Sequence, residues 1–233
     1  MSAPASLGAV TETVILAEKF VSFQGEGPCM GQRCAFIRLS RCNLRCGWCD
    51  TPETWDWTRF KAAEVSSKVP IAELVSWVLE RDVDMVVLTG GEPMLQQDAM
   101  AAIARGLPGV RVQVETNGTM TPIPELMSLI DLWVVSPKLA NSGMSYATRI
   151  KPVALKALVE TSRAAFKFVV SDLDSELDEV AKLVDDNGLA PVWVMPEGST
   201  REEVLTGMAE LVGPVGERGW NISFRLHILA GAR

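Results

Sequence analysis

The chain has 233 residues and a formal net charge of −7, with 48% hydrophobic residues dispersed along it. That length is ample for one domain with a sizeable core, and the composition excludes a disordered chain. Acidity without a basic tract excludes a grip on a nucleic-acid backbone. Apolar runs such as Met85–Leu88 and Val192–Met195 are strand-sized, far below the roughly 20 residues that cross a bilayer, so no membrane partner is expected. Met1–Ala9 has neither the charged start nor the apolar stretch of a signal peptide. A cytoplasmic protein is expected, with residues 1–13 as a flexible extension and 14–233 as a single domain.

In chain order the predicted strands are Cys34–Ser40, Met85–Thr89, Val110–Thr116, Leu132–Ser136, Phe166–Val170 and Val192–Met195. Each is rich in Val, Ile, Phe or Trp, as a strand buried on both faces should be. Ile71, Leu74, Val75, Val78 and Leu79 fall at helical spacing, as do Leu177, Val180, Ala181 and Val184, whose helix stops at Asn187-Gly188. Ser199 and Thr200 stand three residues before Glu202 and Glu203, a doubled capping-box pattern that opens another helix. Alternating strand and helix predicts an α/β fold, a parallel sheet with helices packed outside. Asp50–Pro70 breaks the rhythm, carrying Trp55, Trp57 and Phe60 without a helical period. A hydrophobic lid and a satellite core suit it equally.

Four strands run directly into polar sequences: Thr89-Gly-Gly-Glu-Pro, Glu115-Thr-Asn-Gly, Ser136-Pro-Lys and Met195-Pro-Glu-Gly. Any one could be a turn. Four at one edge mark the C-terminal side of the sheet, where α/β folds bind ligands.

Five cysteines, three of them within eight residues, do not read as a disulfide framework. Cys42-Asn-Leu-Arg-Cys46-Gly-Trp-Cys49 is a C-x3-C-x2-C loop. Three thiolates can hold three irons of a [4Fe–4S] cube and leave the fourth open to a non-protein ligand. Cys46 and Cys49 alone would also suit a redox dithiol, which leaves Cys42 without a role, or half a zinc site that recruits Cys29, Cys34 or His227. The Thr89-Gly-Gly-Glu-Pro strand end favours a cluster that binds S-adenosylmethionine (SAM). Two glycines let backbone approach a ligand, and Glu92 can accept from the SAM ammonium. Cys29 and Cys34 read as small buried hydrophobes, and the scattered Met residues as core filler.

Phe23-Gln-Gly-Glu-Gly-Pro28, Arg38 and Cys49-Asp-Thr-Pro52 with Trp55, taken with the four strand ends and Leu226-His227, resemble the 7-carboxy-7-deazaguanine synthase family of radical SAM enzymes. The match runs in order from about Ala17 onward; Gln-Gly-Glu-Gly is also shared with some glycyl-radical activating relatives. The resemblance implies a partial, modified TIM-type barrel of about six parallel strands, in a homodimer. It implies conversion of 6-carboxy-5,6,7,8-tetrahydropterin to 7-carboxy-7-deazaguanine and ammonia, in the route to queuosine and other 7-deazapurines. The radical is carried by the deoxyadenosyl group of SAM, which is regenerated, so no side chain is expected to be the catalyst. The electron comes from an external reductant such as flavodoxin or ferredoxin.

The resemblance also implies residue roles. Cys42, Cys46 and Cys49 hold the cluster, and Thr51 binds Mg2+ with substrate and water supplying the other oxygens. SAM contacts fall at Trp48, Asp50, Gly91, Glu92, Ser136, Pro137 and Lys138, joined by Met195, Pro196, Glu197 and Gly198. Pterin contacts fall at Phe23, Gln24, Gly25, Glu26, Arg38 and Thr89, with the chain's end closing over the substrate through His227 and the terminal carboxylate of Arg233.

Plainer readings stand beside these. Glu26 also suits a solvated turn, Lys138 an ordinary surface and His227 a structural position. Arg38 is stronger, because a charge inside Phe36-Ile-Arg-Leu needs a partner if buried; its guanidinium can pair with a carboxylate through two parallel hydrogen bonds. Strand alternation over Ile222–Ile228 places Ser223, Arg225 and His227 on one face. Competing functions are a glycyl-radical activase, which would need a protein-docking surface, and a non-catalytic iron–sulfur electron carrier, which leaves the strand ends unexplained.

Overall fold

The computed structural model describes residues 12–232. Most of the expected extension and Arg233 lie outside that range. Nine strands form one sheet: β1 Thr13–Phe23, β2 Arg33–Leu39, β3 Ser67–Pro70, β4 Met85–Gly90, β5 Arg111–Thr116, β6 Leu132–Val135, β7 Ala164–Val170, β8 Val192–Pro196 and β9 Asn221–Ile222. Their order is β3-β1-β2-β4-β5-β6-β7-β8-β9. All neighbours from β2 to β9 are parallel, whereas β1 is antiparallel to both β2 and β3. The six expected strands are the parallel series β2 and β4 to β8, a partial TIM-type barrel.

β1 and β3 were not legible as strands. β1 carries Glu18 and Lys19 in its middle, and its register on β2 shifts between Leu16 and Glu18, which breaks the alternation. The helix Ile71–Leu79 forms as expected, and Leu173–Asn187 ends before Gly188, which takes a left-handed φ of 64°. The capping box at the helix Arg201–Glu217 is single: Thr200 and Glu203 bond reciprocally, and Ser199 leans on the same Glu203 rather than on Glu202. No described helix is long and apolar enough to cross a membrane.

Alternation along the strands sorts side chains into two sets. Ile37, Leu88, Val114, Val135, Phe168 and Val194 join the main core between sheet and helices. Residues of opposite parity face the barrel interior. Near its base Cys29 and Cys34 are buried with Phe36, Met85 and Val87, the packing role expected of them. Toward the C-terminal edge the inward set turns polar: Arg38, Thr89, Glu115, Ser136 and Lys167 all line one cavity of about 250 Å³.

Two segments differ from expectation. Asp50–Pro70 holds only a short turn at Pro52–Thr54, a helix at Ala62–Val65 and β3. It is neither a simple lid nor a separate core: Trp55 faces the cavity while Trp57 stays 44% exposed. Ile222–Ile228 is not a strand; β9 ends at Ile222 and a helix runs Leu226–Ala230. Ser223 bonds the backbone N–H of Gly27, and Leu226 donates to the carbonyl of Gly25, which turns the chain end over the cavity.

Candidate active site

The cysteine loop leaves β2 and crosses the mouth of the barrel. Arg41 adopts φ 82°, its N–H donates to the Thr54 carbonyl, and its own carbonyl accepts from Glu92. Cys42, Cys46 and Cys49 all line the cavity. The Leu44 N–H donates to Cys42 Sγ at 3.4 Å and the Trp55 indole to Cys49 Sγ at 3.3 Å. Burial pushes the Cys42 thiol up to about 12 and raises Cys46 as well, so a thiolate here requires a positive partner such as bound iron. Three thiols from one loop, two of them receiving N–H donors, are a donor set that fits an iron–sulfur cube.

Gly90, which ends β4, and Gly91, which follows it, let the end of β2 and the start of the cysteine loop approach. A Cβ on Gly91 would lie 2.5 Å from the Arg41 carbonyl oxygen and 2.7 Å from Cys42 Cβ; one on Gly90 would lie 2.2 Å from the Leu39 oxygen. Their smallness lets backbone meet backbone beneath the cysteines, whereas the sequence suggested room for a ligand alone. Glu92 also departs from expectation. It is fully buried, accepting from Met94 N, Thr116 Oγ1 and Asn117 N, and burial raises its pKa. Its carboxylate ties β4 to β5 and does not reach the cavity.

Ser136 and Lys138 line the cavity, with Lys138 Nζ donating to Ser136 Oγ and lying 5.2 Å from the Trp48 ring centre. Pro137 is buried off the wall. Met195 and Glu197 line the cavity, but Pro196 packs toward Gly207, and Gly198 contributes its carbonyl to Arg225 instead. Asp50 and Thr51 line it beside Cys49. The Thr51 hydroxyl does not cap the following turn, although its carbonyl accepts from Thr54.

On the opposite wall, Gln24 is buried and donates from Nε2 to Glu115 Oε1, and Thr89 donates to Glu115 Oε2 at 2.9 Å. Phe23, half exposed, stands at the rim. Arg38 lines the cavity while its Nε holds Glu18 Oε1 at 2.8 Å, across the β1–β2 pair. Gly25 packs closely against His227: a Cβ there would lie 2.2 Å from Nδ1, so the imidazole would have to shift. Glu26 is not solvated: Lys167 pairs with one oxygen and Arg225 with the other at 3.2 Å. Burial alone would raise the Glu26 pKa, but Lys167 and Arg225 hold it at about 2. The pair thus contributes stability that is complete above the ordinary carboxylate value and lost as pH falls through about 2. Burial lowers the His227 pKa, favouring the neutral ring.

Glu115, Lys167 and Arg225 are site residues that sequence reasoning missed. The signal was present: Glu115 and Lys167 are charges at inward positions of buried strands, the same pattern that singled out Arg38.

An α/β barrel with a three-cysteine loop over its C-terminal mouth defines a radical SAM enzyme, and a model of the Radical SAM superfamily matches residues 36–135. Curated proteins named 7-carboxy-7-deazaguanine synthase are similar over nearly the whole chain. The protein from Pyrobaculum aerophilum is 34% identical, covering 94% of this chain and 96% of its own; that from Halobacterium salinarum is 36% identical, covering 96% and 93%. The chain belongs to the 7-carboxy-7-deazaguanine synthase family. The crystal structure of QueE from Escherichia coli, 24% identical, shares the fold with a TM-score of 0.65 over 91% of this chain and 93% of that one. Membership brings a [4Fe–4S] cluster and SAM as cofactors and sets the electron-carrier alternative aside.

Proposed function

We propose that this enzyme converts 6-carboxy-5,6,7,8-tetrahydropterin to 7-carboxy-7-deazaguanine and ammonia by radical ring contraction. The observation that carries the reading is the two-sided cavity: three cysteines on one wall, and on the other a hydrogen-bonded set of Gln24, Thr89 and Glu115 beside Arg38. Cys42, Cys46 and Cys49 would hold the cluster, which together with SAM would supply radical hydrogen-abstraction chemistry at the substrate. The protein's share is to hold SAM on the side of Trp48, Asp50, Gly91, Ser136 and Lys138, with Met195 and Glu197 beyond, and the pterin on the other. Glu115, fixed by two donors, offers carboxylate oxygen to the guanidine-like edge of the pterin. Neutral His227 closes that edge. The reading includes a homodimer in the cytoplasm and an external one-electron donor of the flavodoxin or ferredoxin kind.

Arg38 is the proposed anchor of the substrate carboxylate. With Nε held by Glu18, its two terminal nitrogens are the pair for a bidentate contact, which a lysine ammonium cannot reproduce. Arg38→Lys should raise the substrate KM by roughly tenfold to a hundredfold, the worth of one charged hydrogen bond, at unchanged iron content. Calorimetric titration of SAM-loaded protein with the pterin checks this; unchanged affinity removes Arg38 from the substrate site.

Thr51 is proposed as the protein ligand of Mg2+, its hydroxyl being unused as a cap and on the cavity wall beside Cys49. Hard divalent cations take oxygen donors and keep waters. Thr51→Ala should lose the stimulation by Mg2+ seen in the parent. Activity that falls with its Mg2+ dependence intact would show that the hydroxyl serves something else.

A further inference from the structure

Beyond holding the Glu26 carboxylate, Arg225 has no role in the reaction proposed above, yet it touches three separate parts of the site. Its Nε holds Glu26 Oε1 at 3.2 Å, its Nη1 donates to the Gly198 carbonyl at 2.6 Å, and its Nη2 holds Asp50 Oδ2 at 2.6 Å. Glu26 belongs to the turn between β1 and β2, Asp50 follows the last cysteine, and Gly198 follows β8. One guanidinium thus joins the proposed pterin side to the cysteine loop. Its side chain is only 11% exposed, and Glu26 is held from below by Lys167, itself 8% exposed.

A buried charge network of this kind is weak evidence of stabilisation, because desolvation offsets most of the attraction. What it supplies is geometry: a planar fork with donors in three directions fixes three acceptors relative to each other. The chain end has anchors of its own, from Leu226 N to the Gly25 carbonyl and from Gly27 N to Ser223 Oγ at 2.7 Å. Folding of the terminal segment therefore does not depend on Arg225, whereas the bridge to Asp50 does.

We infer that Arg225 is a positioning residue that sets the pterin turn and the cysteine loop in register, so that radical formation stays coupled to the substrate. This rests on the pterin reaction proposed above. A misplacement of about 1 Å between reacting groups can cost about a hundredfold in rate. The deoxyadenosyl radical, formed with one electron from the external reductant and release of methionine, would then take its hydrogen atom from buffer or reductant instead of the pterin, and 5′-deoxyadenosine and methionine would accumulate in equal amounts in place of product.

The test compares the parent with Arg225→Gln and with Asp50→Ala, which removes the acceptor of the arm to the cysteine loop at a 67% exposed carboxylate; SAM affinity is measured alongside, because Asp50 is also a proposed SAM contact. Reconstituted proteins are assayed for iron content, deazapurine product and 5′-deoxyadenosine. Both variants should keep parental iron content and show a ratio of 5′-deoxyadenosine to product raised by roughly tenfold or more. An unchanged ratio in both overturns the inference, as does a loss of product that only tracks a loss of iron. Hydrogen exchange on the same proteins needs no turnover and separates this idea from the reaction assignment. Faster exchange in both the 24–27 turn and the 47–51 loop of Arg225→Gln supports the register role even if the parent proves to act on another substrate. Faster exchange confined to residues 223–228 overturns it.

Discussion

Replacing Cys42, Cys46 or Cys49 with Ala is expected to abolish turnover and to strip most of the iron, while Cys29→Ala and Cys34→Ala keep the brown cluster absorbance. The three loop cysteines line the cavity; the other two are packed below it among Phe36, Met85 and Val87. A cubane bound through three thiolates loses a corner with each substitution. At Cys34 the change removes a small buried side chain from a strand whose thiol burial holds at a pKa of about 12, far from any thiolate. That costs some packing, on the order of 1 kcal/mol, and no cluster. Iron assay with the visible spectrum of each reconstituted variant checks the contrast. Equal iron loss in Cys29→Ala and Cys46→Ala would refute the three-cysteine assignment.

Gly91→Val is the second large effect, and the structure changes what it should do. From the sequence, Gly91 leaves room for backbone to approach SAM, and a side chain there would obstruct that ligand. In the fold a Cβ at that position meets the Arg41 carbonyl oxygen at 2.5 Å and Cys42 Cβ at 2.7 Å. Backbone cannot swing aside as a flexible side chain does, so the strain passes into the loop that carries the first cluster ligand. Overpacking of this kind costs about 1–3 kcal/mol. Iron content should therefore fall together with SAM affinity. A variant that holds parental iron and loses only SAM would restore the ligand-clearance reading and move the clash out of the cysteine loop.

The parallel barrel was readable because its strands are buried on both faces and run as unbroken apolar segments between turn-forming residues. β1 was not, since a strand with a register shift and two central charges shows no clean period. Within the site, residues adjacent in sequence were legible: the cysteines, and the polar ends after β4, β5, β6 and β8. Glu115 and Lys167 were within reach, for each is a charge at an inward position of a buried strand, and only Arg38 was read that way. Arg225 lay beyond reach, because its three partners come from segments up to 199 residues away. His227 came from the resemblance, while the strand alternation read around it does not hold. It belongs to a short helix and not to a strand, yet the bond from Leu226 to Gly25 brings it against the turn. Glu92 illustrates the opposite limit, since a motif residue can be spent entirely on fixing two strands together.

The most direct measurement is an anaerobic assay of the reconstituted protein with SAM, a one-electron reductant, Mg2+ and 6-carboxy-5,6,7,8-tetrahydropterin, read by mass spectrometry. The account predicts 7-carboxy-7-deazaguanine in excess of enzyme, with little net 5′-deoxyadenosine because SAM is regenerated. Steady 5′-deoxyadenosine formation with the pterin returned unchanged would contradict it.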